Sequence, residues 1–88
     1  MTYFAGLDVS LAETATCIVD ETGEILREAV CATEPSALIE WFTAAGYDCE
    51  RIGFEAGACS AWLYRDLSAA GLTVFCIEAR HASRVLQV

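Results

Sequence analysis

Three strand-like segments in immediate succession, followed at residues 33–35 by a switch to helical periodicity, restrict the fold of this chain more than any other feature. Residues 3–9 (YFAGLDV) are a continuous apolar run, which predicts a central strand covered on both faces. Residues 14–20 (TATCIVD) alternate and are rich in β-branched side chains, so they read as a second strand. DETGEI supplies a polar turn with Gly23, and residues 24–31 (EILREAVC) return as a third strand of an antiparallel meander. Pro35 then fits the first turn of a helix over residues 35–45, with Thr33 or Glu34 as cap, Gly46 as stop, and Leu38, Ile39, Trp41 and Phe42 near one face. A short strand over residues 50–55, an amphipathic helix in ACSAWLYRDLSAAG ended by Gly71, and a fifth strand over residues 72–77 follow. Residues 78–88 (EARHASRVLQV) open a helical pattern without a stop signal.

This order of elements predicts one α/β domain over residues 1–88, built on a mixed sheet with right-handed helical crossovers. Three antiparallel strands followed by alternating helices and parallel strands is the order of the ribonuclease H-like fold, here expected to be incomplete at the C-terminus. In it the first and fourth strands lie parallel and adjacent.

Composition agrees with a folded domain, since 56% of the residues are hydrophobic and 20% charged. Thirteen acids stand against five arginines, a formal charge of -8, which argues against an independent basic nucleic-acid surface. The five cysteines (Cys17, Cys31, Cys49, Cys59, Cys76) are widely spaced with no CxxC pair, and they read as reduced, small apolar residues. No basic-then-apolar leader opens the chain, and no apolar run approaches the roughly 20 residues that span a bilayer. The expectation is a cytoplasmic protein without membrane partners.

The chemistry-bearing positions are Asp8, near the end of the first strand, and Glu55, at the end of the fourth. Like charges at the ends of neighbouring parallel strands repel unless a cation or a proton joins them. Magnesium or manganese supplies such a cation, binding carboxylate oxygens together with water and substrate phosphates. Metal ions held in this way activate an attacking oxygen and stabilise a leaving one, which suggests phosphodiester chemistry. A strand-end Asp also serves as a turn former, and a Glu before Ala-Gly also caps a helix. Spacing leaves both readings open.

The runs GLDVSLAETATCIVDETGEIL and RIGFEAGACSAWLYRDLSAAGLTVFCIEARHASRVL resemble the N-terminal domain of the DEDD transposases of bacterial insertion sequences, the IS one-ten family. In that family the first strand reads G-(I/L)-D-V-S. The fourth strand ends in (L/F/M)-E-(A/S)-(T/G)-G, and a helix with W-L and L-x-x-x-G follows. The family's N-P-x-x region is occupied here by EARHASRV, and the likeness runs from about residue 4 to residue 88. The resemblance implies a Holliday-junction-resolvase-like (RuvC-like) catalytic domain in which Asp8 and Glu55 are the first two acids of the D-E-D-D set. Both would be catalytic and ligands for magnesium or manganese. The family's third and fourth acids, and a further domain carrying a serine, come after the stretch matched here. The resemblance therefore implies an N-terminal part of a transposase that cleaves and transfers DNA strands only when complete, and that is inactive alone. DNA and a structured guide RNA are the partners it implies.

Other positions have plainer readings. Ser10 is a turn former or a partner for metal-bound water. Ser60 starts a helix and lacks a His base to make it a nucleophile. His81, the single histidine, suits a surface better than a metal site. Trp41 and Trp62 are expected in the core or at an interface. An apolar stripe of Val85, Leu86 and Val88, left without cover, predicts a homo-oligomer. Actin-like and sugar-kinase ATPases share the sheet order, so a nucleotide-binding fragment is the alternative, although DVSLAETAT lacks the glycine of their phosphate turn. A non-catalytic interaction module is a third reading.

Overall fold

The computed structural model describes residues 1–55 and 60–77. It contains β1 (Tyr3–Val9), β2 (Glu13–Asp20), β3 (Ile25–Ala32), α1 (Pro35–Ala45), β4 (Cys49–Glu55), α2 (Ser60–Ala69) and β5 (Val74–Ile77). The strands form one sheet of order β3-β2-β1-β4-β5. β1–β2 and β2–β3 are antiparallel, while β1–β4 and β4–β5 are parallel. The mixed sheet expected from the order of elements is the one observed.

Alternation in each strand sends one set of side chains under the two helices. Ala5 and Leu7 of β1, Ile18 of β2, Ile52 and Phe54 of β4 and Val74 of β5 pack with Leu38 and Phe42 of α1 and Leu63 and Leu67 of α2. Both helices lie on this face for a topological reason. Each crossover steps in the same direction along the sheet, from β3 to β4 and from β4 to β5, and right-handed crossovers in one direction cover one face.

The expectation that β1 would be covered on both faces is therefore corrected. Gly6 and Asp8, which alternate with the buried Ala5 and Leu7, are exposed. A Cβ added at Gly6 would meet nothing within 4 Å, so among the described residues this face is open at the strand's middle.

α1 begins with Pro35 at its first turn and ends at Gly46, whose left-handed backbone (φ 78°) lets its N–H reach the Phe42 carbonyl. Its N-cap is Glu34, which makes no side-chain cap bond; Thr33, the other candidate, is engaged elsewhere. Of the two tryptophans, Trp41 is half-buried against the core, while Trp62 is exposed, which removes the core placement for it and leaves the interface one. Cys17, Cys31 and Cys49 are half-buried free thiols, as expected, whereas Cys76 is exposed. Burial, assisted by the Asp48 carboxylate, pushes the Cys49 thiol above its ordinary value. Cys59, His81 and the apolar stripe Val85, Leu86 and Val88 lie outside the described residues. Among the described residues no helix is long and apolar enough to cross a membrane.

The hairpin between β2 and β3 turns on Asp20. Its Oδ1 accepts from the Thr22 hydroxyl (2.6 Å), the Thr22 amide (2.8 Å) and the Glu24 amide (3.1 Å), and Gly23 takes φ 90° to close the loop. The Thr22 hydroxyl, opposed by burial and aided by the amides of Glu24, Thr22 and Gly23, holds the carboxyl below its ordinary 3.8. The folded chain thus binds this proton less readily than the unfolded one. Its stabilising effect is complete above the unfolded pKa and is lost as pH falls through the lowered folded value. Urea midpoints are expected to fall on acidification below about pH 4, and to fall less steeply in Asp20→Asn, which keeps an acceptor but does not titrate. Equal slopes for the two proteins would contradict this role.

Candidate functional site

β1 is the strand from which the chain goes first one way, to β2 and β3, and then the other, to β4 and β5. In open α/β sheets such a reversal leaves a crevice beyond the carboxyl ends of the two parallel strands, where ligands bind. Asp8 is one residue from the end of β1, paired with Ala15 of β2. On its other side the parallel register runs Gly6↔Gly53 and Leu7↔Phe54. Asp8 and Glu55, the last residue of β4, are the next residues on the two strands after the last recorded pair, Leu7↔Phe54. The two sequence-predicted acids are brought to neighbouring positions at the same end of the sheet.

The open face beside Asp8 is concave because its floor is made of small residues. A groove of about 810 Å³ runs over Gly6, Gly53, Ala15 and Cys17, with Asp8 and Glu28 among its walls. A smaller concavity of about 390 Å³ adjoins it, lined by Asp8, Ser10, Ala12, Glu13, Ala15 and Val30. Asp8 lines both. Among the described residues the charged side chains of these two surfaces are all acidic. Arg51, lower on β4, has its guanidinium over the Phe75 ring, 5.4 Å from the centroid. An all-oxygen donor set of this kind fits a hard divalent cation and gives no direct support to an anion. Among the described residues no three His, Cys, Asp or Glu side chains gather closely enough to hold a metal ion by themselves.

Ser10 does not continue β1. Its amide donates to the Glu13 carbonyl (3.0 Å), so it turns the chain between β1 and β2. Ser60 is the first residue of α2, in keeping with a helix-start role. Two residues near the site were not singled out for it by sequence reasoning. Glu28 is carried to the open face because it pairs with Cys17, a register that the hydrophobic pattern of β3 does not specify. Thr33 reads as a helix cap by type and position, and only the β1–β2 turn beside it reveals another use.

No protein-family model matches the sequence, and no curated protein is recovered as a relative. Solved structures do share the fold. T. thermophilus RuvC, in complex with a Holliday junction substrate, aligns at TM-score 0.67 with 13% identity, over 96% of this chain and 69% of that one. A ROK family glucokinase from Streptomyces griseus, in complex with glucose and AMPPNP, aligns at TM-score 0.56 with 24% identity, over 86% of this chain and 33% of that one. At these identities the likeness is one of fold. The chain thus has a RuvC-like, ribonuclease H-like fold, and it spans about a third of the glucokinase.

Proposed function

We propose that this chain is the N-terminal part of the catalytic domain of a metal-dependent DNA transposase of the DEDD type, in which Asp8 and Glu55 hold magnesium or manganese. One observation carries the reading: Asp8 and Glu55 each follow directly on the last paired residues, Leu7 and Phe54, of adjacent parallel strands at the reversal point of a RuvC-like sheet. The all-acidic walls beside Asp8 support a cation there, and the neighbour solved with a Holliday junction is consistent with DNA as the substrate class. When bound, the metal would polarise a phosphodiester and activate the attacking oxygen. The chain's own part would be to carry the two acids at the ends of neighbouring strands, with the sheet face beside Asp8 left open among the described residues. Two carboxylates make a weak site, completed in such chemistry by water, substrate phosphate and further acids. The chain alone is therefore expected to bind metal weakly and to leave DNA uncut. With a net charge of -8, it needs basic surfaces from elsewhere to approach DNA or a guide RNA.

The glucokinase likeness favours a second reading, a nucleotide-binding fragment. Calorimetric titration with manganese and, separately, with ATP distinguishes the two. Manganese binding in the absence of nucleotide favours the transposase reading, whereas ATP binding that does not need Asp8 favours the kinase-like one.

A further inference from the structure

Among the described residues, the β1–β2 turn is hydrogen-bonded from outside the hairpin by Thr33. β1 ends at Val9 and β2 starts at Glu13, so residues 10–12 make the turn. Thr33, just beyond β3, reaches this turn twice. Its amide donates to the Ala12 carbonyl (3.0 Å), and its hydroxyl donates to the Ser10 carbonyl (2.7 Å). The Thr33 oxygen also lies 2.8 Å from the Thr14 hydroxyl. A hydroxyl has one hydrogen and a carbonyl can only accept, so the Thr33 hydrogen goes to Ser10 and Thr14 must donate to Thr33. The result is a one-way chain of two buried hydroxyls, Thr14 to Thr33 to the Ser10 carbonyl.

This chain ends two residues from Asp8. The turn it fixes supplies Ser10 and Ala12, and its flank supplies Glu13, to the concavity that Asp8 lines. Asp8 is itself paired with Ala15 in the hairpin that the turn closes. We infer that Thr33 is a positioning residue for Asp8: by clamping both arms of the β1–β2 turn, it sets where the end of β1 presents its carboxylate. The inference rests on the reading of Asp8 as a metal ligand. Its chemistry follows from the environment: loss of the hydroxyl takes the Thr33 donor from the Ser10 carbonyl and leaves the fully buried Thr14 hydroxyl without its acceptor, so the turn shifts to satisfy the latter.

The test uses Thr33→Val, which keeps the branched shape without the hydroxyl, and Thr33→Ser, which restores the hydroxyl without the methyl. Manganese affinity is measured by calorimetry on the folded fraction of each, with urea midpoints recorded in parallel. Thr33→Val is expected to weaken manganese binding about 10-fold, the lower end of losses seen when support for a metal ligand is removed, and Thr33→Ser to recover it. If Thr33→Val does not fold, Thr14→Val is read in its place, with a smaller loss expected from the same contact. A folded valine variant that binds manganese as the wild type does would overturn the positioning role while leaving Asp8 a ligand. A wild-type chain that takes up no manganese would remove the ligand reading and the positioning role with it.

Discussion

Replacing Asp8 with Asn or Ala is expected to reduce manganese affinity by at least about 10-fold, and Glu55→Ala to do the same, with the double substitution no worse than either single one. That pattern follows from two carboxylates serving one ion. Once either is gone, the ion has lost the pair that made the site, and removing the second deletes little more. Stability is expected to move the other way. Without metal, Asp8 adds negative charge to a surface that already carries Glu13 and Glu28, in a chain of net charge -8. Asp8→Asn relieves that repulsion, so its urea midpoint should equal or exceed that of the wild type in metal-free buffer. A structural Asp, holding a turn or capping a helix, would behave in reverse. Its loss would lower the midpoint by the equivalent of about 1 kcal/mol and leave metal binding as it was. Calorimetric titration and urea unfolding on the same samples separate the two.

The second large effect concerns the core. Ile18 is fully buried in the middle of β2, paired with Ala5 of β1 on one side and Arg27 of β3 on the other. Ile18→Ala is expected to destabilise the fold by about 2–5 kcal/mol, and Ile18→Val by about 1 kcal/mol. Native domains are stable by only about 0.05–0.15 kcal/mol per residue, so the alanine variant should stand near its unfolding limit. Leu63 and Leu38, equally buried on the two helices, belong to the same class. Val30 and Leu11 are 64% and 85% exposed, and alanine there should cost about 0.5 kcal/mol or less. Urea midpoints for the six variants give the comparison. An Ile18→Ala midpoint near that of Leu11→Ala would refute the placement of the core.

Sequence reading recovered the elements where a local signal ends them. Pro35 and Gly46 bound α1 as expected, and β1 occupies the residues assigned to it. β5 is shorter than its apolar run because Leu72 lies in the cap that closes α2. The Leu72 amide bonds to the Leu67 carbonyl and the Gly71 amide to that of Ser68, with Gly71 at φ 93°, so the chain is still closing the helix where the hydropathy already looks like strand. β3 begins and ends one residue late; its last residue, Ala32, pairs with Glu13, and near its start the register with β2 shifts between Ile18 and Val19, an irregularity that leaves no mark on composition.

The open face was hidden for a different reason. Gly6 counts toward an apolar run in sequence, yet it fills no space, and the handedness that puts both helices on one side is a property of the whole sheet. At the site, the neighbouring positions of Asp8 and Glu55 were legible from the order of elements alone. Glu28 and Thr33 were not, since the first depends on pairing register and the second on a contact between segments far apart in the chain.

The central position of β1 bears on the order in which the molecule assembles. On one side β1 pairs with β2, which begins at Glu13, four residues after Val9, and the hairpin can close from Val9↔Thr14 as soon as both arms exist. On the other side it pairs with β4, from Leu7 to Phe54, across two strands and a helix, and closing so long a loop is slow. Asp8 is thus in its hairpin early, while Glu55 arrives only with the long-range pairing of β4. A growing chain presents a lone acid on a small hairpin well before it presents a pair, and an ion that needs both can report the moment at which β4 joins the sheet.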